Sequence, residues 1–215
     1  MPSSSTIKVA SGLGAAGAIG GGVALSKPYL FPNKATLRSL VEADKWKFLS
    51  GSNSSEISEI LATYKSQNPS PFANFKGDEG NKDDLLLEKC KELSEKYEDD
   101  ANKEEFLRKL KRWCVIPKSV QDRLSDFNIT PMSTEDPSSS TNEDQSWISK
   151  MKSYESSNSK FSQLASLDSG TDDEKAKKLR TRCKDELNVK SFTESFEVTL
   201  DKVKLWCVSI QKLGN

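Results

Sequence analysis

"LLEKCKEL" at residues 86–93 with "LKRWCV" at 110–115, and "KLRTRCKDEL" at 178–187 with "VKLWCV" at 203–208, decide how this chain is built. Cys90 and Cys183 are 93 residues apart, and so are Cys114 and Cys207, with Trp113 and Trp206 directly before the second cysteine of each set. Two rare residue types at one spacing mark an internal repeat. Leu86 with Leu179, Leu107 with Leu200, and Leu110 with Val203 fall at the same offset.

Within each set the apolar period is helical. Leu86, Cys90, Leu93 and Tyr97 step by four, three and four, and Phe106, Leu110, Trp113 and Cys114 continue one face after a break. Leu179, Cys183 and Leu187 form the matching stripe, followed by Phe192, Phe196, Leu200, Val203, Cys207 and Ile210. Helix starts are expected at Asn81, Asn102, Thr171 and Ser191, each a capping residue three before an acidic one. Short connections between such helices predict antiparallel hairpins. The expected fold is all-α: an N-terminal membrane helix, then two repeated small helical modules, each containing an antiparallel helix hairpin. The first module covers 37–129 and the second 146–212, opened by Trp46 and Trp147, with Trp113 and Trp206 as core anchors. Between them, "TPMSTEDPSSSTNEDQ" at 130–145 has the Ser, Pro and acidic content of a flexible linker.

All four cysteines, Cys90, Cys114, Cys183 and Cys207, lie on apolar stripes. Three arrangements accommodate them: four small buried hydrophobes, two intramodule disulfides, or a metal site. No C-x-x-C pair is present to begin a zinc site, and four thiolates would require the modules to converge. Bridges Cys90–Cys114 and Cys183–Cys207 would each close a loop worth about 3 kcal/mol. A turn at 99–102 puts the first pair on one level, whereas a turn at 188–191 does not do so for the second, so the first bridge is the more strongly expected.

Upstream, Gly12, Gly14 and Gly17 spell G-x-G-x-x-G. Dinucleotide binding also needs a second strand ending in an acidic residue about 20 positions on, and "KPYLFPNKATLRSLVEADKW" supplies none. Residues Val9 to Leu25 are instead uncharged and rich in Gly and Ala, bracketed by Lys8 and Lys27. Seventeen residues of helix span about 25 Å, short of the ~30 Å hydrocarbon core, with Tyr29, Leu30 and Phe31 to extend it. An uncleaved anchor over 1–31 is expected ahead of a cleaved signal or a soluble tail, since "VALSK" fits the small-x-small cleavage rule poorly. Gly17 and Gly21 form a G-x-x-x-G helix-packing face.

Lys+Arg and Asp+Glu both number 32, which gives no basic surplus for a nucleic-acid partner. Histidine is absent, removing Ser-His and Cys-His pairs and the usual base near neutral pH. Acidic runs Glu98-Asp99-Asp100 and Asp172-Asp173-Glu174 fall where helices end or begin, where carboxylates complement the helix terminus. Catalytic, cofactor-binding and metal-ligating residues are therefore expected to be none, and the chain is not expected to be an enzyme.

The Gly/Ala-rich apolar segment ending in "SKPYLF", the length near two hundred residues and the Trp-Cys-Val endings resemble the large paralogous families of uncharacterised membrane-anchored proteins in haemotropic mycoplasmas. That resemblance implies a membrane-anchored, surface-exposed protein, and it supplies no activity or site residues. The expected function is a helical interaction protein whose partners are membrane lipid and an unidentified host or other protein. Lys27, Lys34 and Arg38 favour the alternative, a structural membrane protein with a cytoplasmic domain. Paired cysteines and the resemblance favour an extracellular C-terminal domain, and long domains translocate largely regardless of charge.

Overall fold

A computed structural model describes residues 34–137, 143–167 and 169–209. The expected anchor over 1–31, with Gly17 and Gly21, lies outside the described residues. Among the described residues there are eight α-helices and no strand, and no helix is long and apolar enough to cross a membrane. The described residues group as one unit.

The helices are α1 Leu37–Ala43, α2 Ser54–Tyr64, α3 Lys82–Ser94, α4 Lys103–Trp113, α5 Val120–Asp126, α6 Gln145–Glu155, α7 Asp172–Leu187 and α8 Phe196–Trp206. They fall into two sets of four with the same contacts. Helix α1 packs on α3 and α4, and α2 on α3; α5 likewise packs on α7 and α8, and α6 on α7.

Short helices α1 and α5 show why the sets match. Seven residues are too few for an isolated helix, so capping and burial must hold them. Thr36 and Ser119 accept from the amides of Ser39 and Asp122, and Leu37/Val41 and Val120/Leu124 bury one face each. Both helices end alike. Lys45 and Asn128 take positive φ, 62° and 57°, and the next amides, of Trp46 and Ile129, donate back to Val41 and Leu124. That is the Schellman closure, in which an αL residue lets the chain satisfy the last carbonyls. The chain before each helix then pairs with the α3–α4 or α7–α8 connection, Thr36 with Tyr97 and Ser119 with Lys190. The chain after each helix pairs beyond the second cysteine, Phe48 with Val115 and Pro131 with Val208.

The second set of contacts therefore begins near Ser119, not at 146 as the sequence suggests. Residues 130–145 are not simply a flexible linker: Met132 is buried and donates its amide to the Cys207 carbonyl, and the Trp147 indole donates to the Ser133 carbonyl. Polar composition concealed a stretch whose backbone is used in pairing, although 138–142 lie outside the described residues. Trp46 and Trp147 are not equivalent openings: the positions of α1 and α5 pair Trp46 with Ile129, and alignment on Tyr64 and Tyr154 pairs Trp147 with Ile57.

Each set closes on a tyrosine. Tyr64 Oη accepts from the Phe72 amide at 2.9 Å and donates to the Phe75 carbonyl at 3.2 Å, while its ring meets Trp113 edge-on at 5.1 Å. Tyr154 Oη accepts from Phe161 at 2.9 Å and donates to the Leu164 carbonyl at 2.5 Å, with Trp206 edge-on at 5.0 Å. Both Trp113 and Trp206 are buried.

Candidate functional site: the bridged cysteines and the cleft between the two halves

The structure joins Cys90 to Cys114 and Cys183 to Cys207, with Cα atoms 5.3 and 5.6 Å apart. All four cysteines are buried, and among the described residues no cluster of three His, Cys, Asp or Glu could hold a metal ion. The expected asymmetry between the bridges is absent. Helix α8 starts after Ser195 rather than Ser191: the Ser191 hydroxyl accepts from the Lys118 amide instead of capping a helix, and the amides of Thr193 and Phe196 close turns onto the carbonyls of Lys190 and Thr193. Connections 95–102 and 188–195 consequently have equal length. In both sets the first cysteine lies four residues before its helix ends and the second caps the next helix. A turn tight against the helix ends would leave them about 10 Å apart in level, and the eight-residue connection takes up that difference.

Where the halves meet, charge is concentrated around one aromatic ring. Arg123, 4% exposed, donates from Nη1 and Nη2 to the backbone and side-chain oxygens of Asp44, both at 3.1 Å, and stacks over Trp46 at 4.4 Å. Asp126 accepts from Arg123 and from Lys118 at 2.6 Å, and Lys118 also donates to the Lys45 carbonyl at 2.7 Å. On the opposite side Lys111 pairs with Asp44 at 2.7 Å. Burial works to raise the carboxyls of Asp44 and Asp126, but these cationic donors outweigh it and hold both below their ordinary value.

Beside this cluster lies a cleft of about 410 Å³ between α4 and the α7–α8 connection. Trp46, Leu107 and Phe196 give it an apolar lining, and Glu104, Arg108, Arg112 and Glu194 a mixed-charge one. Arg112 is committed to structure: Nε donates to the Phe192 carbonyl at 2.9 Å and Nη2 to Gln67 Oε1 at 3.1 Å. Burial holds its guanidinium below the ordinary value, Glu194 opposing and Arg108 adding to the effect. Ser191 and Thr193 supply the hydroxyls of the lining, and the chain has no histidine to activate them.

The acidic runs fall at helix ends. Glu98-Asp99-Asp100 occupy the α3–α4 connection, and Asp172-Asp173-Glu174 form the first turn of α7, where Glu174 closes a capping box with Thr171. Asp126 and Lys118 lie close to Arg123 in the chain, but Asp44 is 79 residues away, so no local pattern announces the cluster; the aromatic pairs Tyr64/Phe72 and Tyr154/Phe161 are the visible clue to a wider repeat. No family model, no curated protein and no solved structure matches the chain.

Proposed function

We propose that this chain is a membrane-anchored helical interaction protein without enzymatic activity, built from two copies of one disulfide-closed four-helix unit and presented outside the cell. The observation that carries this reading is that every cysteine is consumed in a bridge within its own unit. Disulfides persist in oxidising compartments and are reduced in the cytosol, and small cores gain most from them. Residues 1–31 would hold the protein at the membrane through the uncharged stretch, with Gly17 and Gly21 as its packing face. The balanced charge supports a protein or lipid partner over nucleic acid.

Protease shaving of intact cells followed by fractionation tests the placement, and thiol titration tests its chemical basis. Protein taken from its native membrane without reductant should show no free thiol and should be lost on shaving. Four free thiols and resistance to shaving would favour the second reading, a cytoplasmic domain, which the basic residues Lys27, Lys34 and Arg38 support.

A further inference from the structure

The surface by which the first half holds the second is repeated on the second half. Asp44 and Arg112 make the junction, reaching Arg123 and the Phe192 carbonyl. Their counterparts, at matching positions after α5 and in α8, are Phe127 and Leu205, 43% and 45% exposed. Across the junction, Arg123 and Phe192 have Leu40 and Asp99 as counterparts in the first half.

A two-fold junction would bury Leu205 against Asp99 just as it buries Arg112 against Phe192. Instead both are open, the Asp99 side chain 55% exposed. The halves are therefore joined head to tail, and an association of that kind leaves one unused face at each end. Those two faces differ from the joined ones in a correlated way. Where the internal junction has the Arg123–Asp44 ion pair, the corresponding positions hold Leu40, partly buried against the core, and Phe127, whose ring has Arg123 and Lys204 over it at 4.7 and 5.0 Å and is still exposed. Tyr97, 53% exposed, stands on the head face at the place of Lys190, next to the junction loop; Val198, 58% exposed and two turns before Leu205 on α8, widens the tail face. Isolated apolar side chains on a surface need no explanation, but these four are the large exposed ones among the described residues and they fall on two related faces.

We propose that the Phe127–Leu205 face binds the first half of a second copy of this chain, around Leu40 and Tyr97, repeating between molecules the junction made within each. A tethered junction benefits from an effective concentration of order millimolar, which an untethered one lacks. Exposed Phe127 and Leu205, standing where the junction has Asp44 and Arg112, compensate for the missing tether. The surface is independent of which side of the membrane the domain occupies.

Sedimentation equilibrium of the full chain in a mild non-ionic detergent tests it. The mass should rise above one chain with concentration. Phe127→Lys with Leu205→Lys, and separately Tyr97→Lys, should each weaken association by about tenfold or more, as loss of an apolar anchor does at an interface centre. An equimolar mixture of the two variants should form dimers with the native affinity, since one supplies an intact head and the other an intact tail. Serine replacements at the same positions repeat the test with less perturbation, and zero free thiols in each variant certifies its fold. A single-chain mass throughout, self-association that Tyr97→Lys and Tyr97→Ser leave intact, or a mixture that stays monomeric would overturn the proposal.

Discussion

Arg180 and Glu143 form a buried two-point pair: Nε donates to Oε2 and Nη2 to Oε1, both at 2.9 Å, with the side chains 4% and 5% exposed. The same guanidinium donates to the Thr134 carbonyl and to exposed Asp136, so one residue of α7 secures both ends of the 134–143 stretch. Leu87 stands at the equivalent place in α3. Removing one member of a buried pair strands the other, at about 3–5 kcal/mol. Arg180→Leu should lower urea stability by that amount, and Arg180→Leu combined with Glu143→Leu should recover most of the loss. Simple additivity of the two single losses would show that the pair is not coupled.

The two bridges should contribute equally. Each closes a separation of 24 residues, which corresponds to about 3 kcal/mol of unfolded-state restriction. Replacing Cys90 and Cys114 by Ala, or Cys183 and Cys207 by Ala, should shift the denaturation midpoint similarly. A difference above roughly 2 kcal/mol would mean that the two units do not share one construction.

Tyr64→Phe and Tyr154→Phe test the paired latches. Each hydroxyl satisfies one buried amide and one carbonyl, and deleting it orphans both at about 1–3 kcal/mol. Equal losses in thermal unfolding are expected, whereas a change under 0.5 kcal/mol, roughly that of an ordinary surface substitution, would show that the hydroxyls are dispensable.

Acid should weaken the junction between the halves. Asp44 and Asp126 have lowered pKa values in the folded chain, so they remain ionised where the unfolded chain, at about 4, begins to bind protons. Their contribution is complete above that pH and is lost as pH falls through the lower folded values. Urea midpoints measured from pH 7 to pH 2.5 should fall below about 4, and less steeply in Asp44→Asn and Asp126→Asn. Identical slopes in native and variant proteins would remove these carboxylates from the account.

Helices α3, α4 and α7 were legible because their apolar steps are local signals and their starts fall after Asn81, Asn102 and Thr171, although only Thr171 caps through its side chain, Asn81 and Asn102 holding the position without that bond. The equivalence of α1 with α5 was not legible. Matching residues are 83 apart there, 90 apart at Tyr64/Tyr154 and 93 apart at the cysteines, so a fixed-offset comparison sees only the last part. Seven of the added residues fall between Pro131 and Tyr154, a stretch that includes the segment whose polar composition suggested a tether, and three more between Tyr154 and Cys183. The Ser191 start failed for a different reason: its hydroxyl is engaged by the Lys118 amide 73 residues away, a demand no local pattern carries.

The cysteine bridges also set how the chain would respond to force. A chain pulled from its two ends lengthens by about 3.4 Å for each residue released, and each bridge withholds the 24-residue interval between its sulfurs, close to 80 Å of slack. Stretched while oxidised, the body would yield the segments outside the bridges and stop short; stretched after reduction, it would give two further increments of nearly equal size.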